Sequence, residues 1–146
     1  MAEGAGWEMT PEQTTEFKAL VKEGFDFWSA NASPEVKAKG EEIMAKYTSD
    51  PAFAEAEGAA CAAAFAAADA NGDGLLDAAE FEVFIAAMEQ RERDAGYGTD
   101  PCPGHTAKMY ATMNGITGGD DGIKLDQFFA GMGAYMAEWN TLKAGQ

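Results

Sequence analysis

"AAADANGDGLLDAAEFEVF", residues 66–84, sets acidic and amide side chains at alternate positions around Gly74, between two apolar runs. Two structures suit such a pattern: a cage of oxygen ligands for a metal ion, or an acidic turn between two helices. Counted from Asp69, the third position is Asn71, the fifth Asp73, the ninth Asp77 and the twelfth Glu80, while the seventh, Leu75, offers its backbone carbonyl. Gly74 falls sixth, where a loop curling around an ion must turn sharply and a Cβ is poorly tolerated. Leu76, eighth, is apolar, as suits a residue that turns into the core and pairs with a neighbouring loop.

A calcium ion takes six to eight hard oxygen ligands, and a short loop supplies them only by wrapping around it. The alternation in this stretch places oxygen at each position such a wrap requires. An acidic turn needs neither the glycine nor the closing glutamate. Without an ion, Asp69, Asp73, Asp77 and Glu80 repel one another, and a divalent cation relieves that repulsion. "DANGDGLLDAAE", flanked by Phe65 and Phe81, resembles the EF-hand loop of the calmodulin superfamily in its ligand order, glycine, apolar eighth position and flanking helices. The resemblance implies calcium binding by Asp69, Asn71, Asp73, Leu75, Asp77 and Glu80, with magnesium a weak competitor because it prefers a smaller octahedral shell.

EF-hands work in pairs, so the resemblance implies a second loop, and "MYATMNGITGGDDGIKLDQFF" is its candidate. Setting Ile123 against Leu76 and Phe128 against Phe81 puts Gln127 twelfth, but leaves Ile116, Gly118 and Lys124 at the first, third and ninth positions. A loop over 114–127 starts better, with oxygens from Asn114, Thr117, Asp120 and Asp121, yet runs two residues past the standard twelve and still lacks the closing glutamate. The expectation is a structural partner that pairs its backbone through Ile123 and binds calcium weakly or not at all.

Helical signals surround both loops. Thr10–Pro11, Ser33–Pro34 and Asp50–Pro51 each join a capping side chain to a proline at the first helical position, and Thr10 with Gln13 fits a capping box. They predict helices over about 11–29, 34–47 and 51–68. The first carries Phe17, Leu20, Val21, Gly24, Phe25 and Trp28 on one face, and the second carries Val36, Ile43, Met44 and Tyr47. Joined by a short turn, these two should make an antiparallel hairpin. It spans residues 1–49 and is either a hand that lost its ion or a plain capped pair, followed by the EF-hand pair over 50–146. Helices resume after Glu80 with Phe81, Phe84, Ile85 and Met88, near 105–113, and in a final amphipathic run with Phe128, Phe129, Met132, Tyr135, Met136 and Trp139. No strand-length alternation occurs, so the expected fold is all-α: a helix-loop-helix pair packed with an N-terminal helical hairpin. The ionless first pair also resembles the parvalbumin layout, in arrangement only.

The chain has 146 residues, 47% hydrophobic, enough for a real core. Its 25 acidic and 10 basic residues give a formal charge of −15, which repels nucleic acid and favours cations or a basic or amphipathic target helix. No apolar run is long enough for membrane insertion, and "MAEGAGWEMTPEQ" lacks the features of a secretory signal. Cys61 and Cys102 are too few for a disulfide framework and read as free thiols, which fits a cytoplasmic location. In "PCPGH", Cys102 and His105 offer two metal ligands at turn spacing, short of the three or four that zinc takes, and read as a loop thiol and a surface histidine.

Three roles remain open. A calcium sensor would expose a groove lined by Met88, Met109, Met113, Met132 and Met136, which otherwise are ordinary core residues. A buffer would keep that face covered by the N-terminal hairpin. A light-chain-like structural subunit would hold a target helix permanently in a cytoskeletal or motor assembly, and Trp7, Trp28 and Trp139 suit any of the three. Catalysis has little support: one histidine, no phosphate loop, and no serine or cysteine nucleophile with an evident base.

Overall fold

A computed structural model describes residues 8–99, 102–117 and 122–145. Trp7, Gly118, Asp120 and Asp121, named above, lie outside the described residues. Among the described residues six helices run in chain order: α1 Pro11–Asn31, α2 Pro34–Ser49, α3 Pro51–Ala68, α4 Ala78–Asp94, α5 His105–Ile116 and α6 Leu125–Ala144. The fold is all-α, and none of these helices is long and apolar enough to cross a membrane.

The predicted caps form. The Thr10 hydroxyl accepts from the Gln13 amide at 3.1 Å while the Gln13 side chain accepts from the Thr10 amide at 2.9 Å, a complete capping box. Ser33 caps α2 through the Val36 amide. Asp50 alone separates α2 from α3: its amide donates to the Lys46 carbonyl and its carboxylate accepts from the Phe53 amide at 3.2 Å. Pro51 then forbids a continuous helix by disfavouring helical backbone at Asp50. Helices α1, α2 and α5 run two or three residues past their predicted ends, because the terminal turns carry polar residues that periodicity does not register.

One core joins α1, α3, α4, α5 and α6, with Phe17, Leu20, Val21, Cys61, Phe65, Phe81, Phe84, Met113 and Phe128 among its buried residues. Phe84 stands at its centre, its ring 4.8 Å from Phe128 and 5.6 Å from Phe65. All five methionines named above lie in this core or pack against it.

The expected hairpin of α1 and α2 takes a different form. The principal neighbours of α1 are α5 and α6, and that of α2 is α3. The reason lies in the side chains: α1 buries Phe17, Leu20, Val21 and Phe25, whereas α2 buries only Gly40 and Ile43 and leaves Tyr47 43% exposed. The two helices touch where the Trp28 ring lies over Gly40. Phe129, placed on the apolar face of α6 by its spacing, is likewise 43% exposed.

Candidate functional site

Residues 69–77 join α3 to α4, and Glu80 lies in the first turn of α4. The Asp69 amide closes the last turn of α3 on the Phe65 carbonyl at 3.0 Å, and Gly72 and Gly74 take left-handed backbone at φ 69° and 80°. A side chain at Gly74 would meet no atom within 4 Å, so glycine is demanded there by the backbone angle and not by space.

The loop's acidic side chains hold its backbone. Asp69 Oδ2 accepts from the Gly74 amide at 2.8 Å, Asp73 Oδ1 from the Leu75 amide at 3.0 Å, and Asn71 Oδ1 from the Asp73 amide at 3.3 Å. Glu80 spans the loop: Oε1 accepts from the Asp77 amide at 3.1 Å and Oε2 from the Ala70 amide at 3.0 Å. Asp77 Oδ1 in turn accepts from the Glu80 amide, so α4 opens on a capping box. Asp69 Oδ1 is the exception: it is buried and accepts from no donor.

Leu76 is fully buried and pairs with Ile123 through two antiparallel hydrogen bonds, each 3.0 Å. The backbone pairing expected through Ile123 is therefore present. A Cβ at Gly122 would lie 2.6 Å from the Leu76 carbonyl oxygen, so this bridge requires glycine there. Beyond the bridge, Gln127 Oε1 accepts from the Lys124 amide at 2.9 Å, as Glu80 Oε1 does from Asp77. Asn114 Oδ1 is buried without a partner, as Asp69 Oδ1 is. The segments differ at their starts: Asp69 follows the last residue of α3, whereas Asn114 lies inside α5, two residues before its end.

A second cluster lies at the other end of α5, and of its members the sequence pointed only to Cys102 and His105. His105 is not the surface residue expected from "PCPGH": it is 8% exposed, with Nδ1 3.0 Å from Glu23 Oε1 and Nε2 3.1 Å from the Tyr135 hydroxyl. Lys108 Nζ donates to Glu23 Oε2 at 2.7 Å. Hydrogen bonds from Lys108 and then His105 hold the Glu23 carboxyl below its ordinary range. Burial, with the Glu23 charge adding to it, holds the Cys102 thiol above its own. Ligand atoms of Glu23, Cys102 and His105 all lie within 4.8 Å of one another, the only such trio of histidine, cysteine or acidic residues among those described. Glu23 and His105 are 82 residues apart, and the one local sign of their meeting is Gly24. A Cβ there would collide with the Tyr135 hydroxyl oxygen and come within 3.1 Å of His105 Nε2. Comparison with protein-family models, curated proteins and solved structures finds no match to this chain.

Proposed function

We propose that the chain is an EF-hand calcium-binding protein whose one complete site is Asp69–Glu80. Asp69, Asn71, Asp73, Asp77 and Glu80 supply side-chain oxygens and Leu75 its carbonyl. The observation that carries this reading is Asp69 Oδ1, a buried carboxylate oxygen with no donor. Such an oxygen is costly when the protein alone surrounds it, and a bound cation is the partner that relieves it. The hard, all-oxygen donor set favours calcium, with magnesium the weaker competitor. Glu80 would exchange its two amide contacts for bidentate ligation.

The Leu76–Ile123 bridge, with Gln127 placed as Glu80 is, supports a second, degenerate hand over 114–127. A neutral amide offers one acceptor oxygen, and that of Gln127 is already held by the Lys124 amide. Weak or no calcium binding follows for this loop.

Among the possible roles, packing favours a buffer. Helix α1 covers α5 and α6, with Phe17 edge-on to Tyr135 at 6.2 Å and Phe25 edge-on to Trp139 at 5.0 Å, so Met109 and Met113 are already buried and Met88, Met132 and Met136 are partly covered. A calcium titration with a hydrophobic dye present tests both levels. Binding of close to one ion per chain without a rise in dye fluorescence is the expected result. Dye uptake only with calcium would replace the buffer reading with a sensor, and dye uptake at every calcium level would indicate a subunit lacking its target helix. Absence of calcium binding would sink the EF-hand reading itself.

A further inference from the structure

From the grouping of Glu23, Cys102 and His105 we propose a second, chemically distinct metal site, for a borderline transition-metal ion with Zn²⁺ the best fit. It stands independently of the calcium loop. The proposed ligand atoms are Glu23 Oε1 and His105 Nδ1, which are 3.0 Å apart, and Cys102 Sγ. A thiolate, an imidazole and a carboxylate form the mixed set that zinc accepts and calcium does not.

The geometry requires little movement. Ligands about 2.0–2.3 Å from a tetrahedral ion lie about 3.3–3.8 Å from one another. Here Oε1 and Nδ1 are 3.0 Å apart and one ligand atom from each of the three residues lies within 4.8 Å of the others, so the sulfur need only draw in modestly. The turn between Cys102 and His105 is already fixed by the His105 amide on the Cys102 carbonyl at 3.1 Å, with Gly104 left-handed at φ 76°.

The surrounding contacts suit ligation. With the ion on Nδ1, the imidazole proton sits on Nε2, 3.1 Å from the Tyr135 hydroxyl oxygen that would accept it. Orientation of a ligating histidine through its second nitrogen is the usual arrangement, and Tyr135 is the positioning residue here. Lys108 holds Glu23 Oε2 and leaves Oε1 to the ion. Glu23 and Cys102 are only half-buried, which provides a way in and leaves a fourth position for water. A cysteine nucleophile fits less well, because both ring nitrogens of His105 are engaged and neither is left to act as a base for Cys102.

Co²⁺ titration of the full chain in excess calcium, which occupies the oxygen loop, tests the site. Expected is a near-ultraviolet sulfur-to-cobalt charge-transfer band with visible bands of tetrahedral intensity, both removed by added Zn²⁺. Cys102→Ser should abolish the charge-transfer band and Cys61→Ser should leave it unchanged. Tyr135→Phe should weaken cobalt binding about tenfold or more while retaining the band. A cobalt spectrum without the band, or one that survives Cys102→Ser, would overturn the proposal. Circular dichroism verifies that each variant is folded, and the half-buried Cys102 keeps the test decisive even if substitutions at His105 unfold the chain.

Discussion

Glu80 holds the loop shut with both carboxylate oxygens, and each of those contacts is one that a neutral amide reproduces only in part. Glu80→Gln should therefore lower the stability of the calcium-free protein by about 0.5–1.5 kcal/mol, since one of the two backbone amides loses its acceptor, as urea unfolding would show. Gly74→Ala isolates a different property. With open space at the Cβ, its effect is the left-handed backbone alone, about 1–2 kcal/mol of lost stability in the same measurement. Gly24→Ala should act through crowding instead, forcing Tyr135 and His105 away from α1 and destabilising the fold by about 1–3 kcal/mol. The proposed ligand order from Asp69 to Glu80 is read from the sequence because it is local, fixed by positions within twelve residues. The Glu23–Cys102–His105 grouping is not, because it joins the middle of α1 to the start of α5, and no short-range pattern records which helices meet.

The helices show where local chemistry suffices. Proline after a capping side chain marked three starts to the residue, and the α2–α3 boundary rests on Asp50 alone. Asp50→Ala removes the acceptor for the Phe53 amide and should lower stability by about 1 kcal/mol, measured as a fall in the urea midpoint at unchanged slope. Helix partners were less legible. An apolar stripe on α1 and a weaker one on α2, joined by a short turn, are as compatible with packing on each other as with packing on third helices. The stronger stripe of α1 is taken by α5 and α6, which bury Met109, Met113, Ile116, Phe128 and Tyr135 where α2 buries only Gly40 and Ile43, and α2 is left to α3. Tyr47 still finds a partner there, its ring 5.3 Å from that of Phe53.

For the whole molecule, a single aromatic centre and a heavily acidic surface set the energetics. Phe84→Ala empties the middle of the cluster of Phe65, Phe81 and Phe128 and should cost about 3–5 kcal/mol, enough to leave so small a protein marginally folded by calorimetry. Glu92, on α4, gives the fold a pH dependence: burial, with the nearby Glu89 adding to it, pushes its carboxyl up to about 7. The unfolded chain ionises this group near its ordinary value of 4.5, so between about pH 4.5 and 7 the native state holds more protons. Stability contributed by this site therefore falls as pH rises through that window. Glu92→Gln should remove that fall, making the variant more stable than the parent at pH 8, but not at pH 4.5, by an amount on the order of 2 kcal/mol in thermal unfolding. The −15 formal charge acts in the same direction, since repulsion among the carboxylates grows as they ionise with rising pH, and a divalent cation would offset part of it. The central claim concerns that cation. Calorimetric titration of the parent and of Glu80→Gln with calcium tests it most directly. The expected result is binding close to one ion per chain in the parent and affinity weakened about 100-fold, near 3 kcal/mol, in the variant. Equal affinities, or no heat of binding to the parent, would contradict the assignment of Asp69–Glu80 as the calcium site.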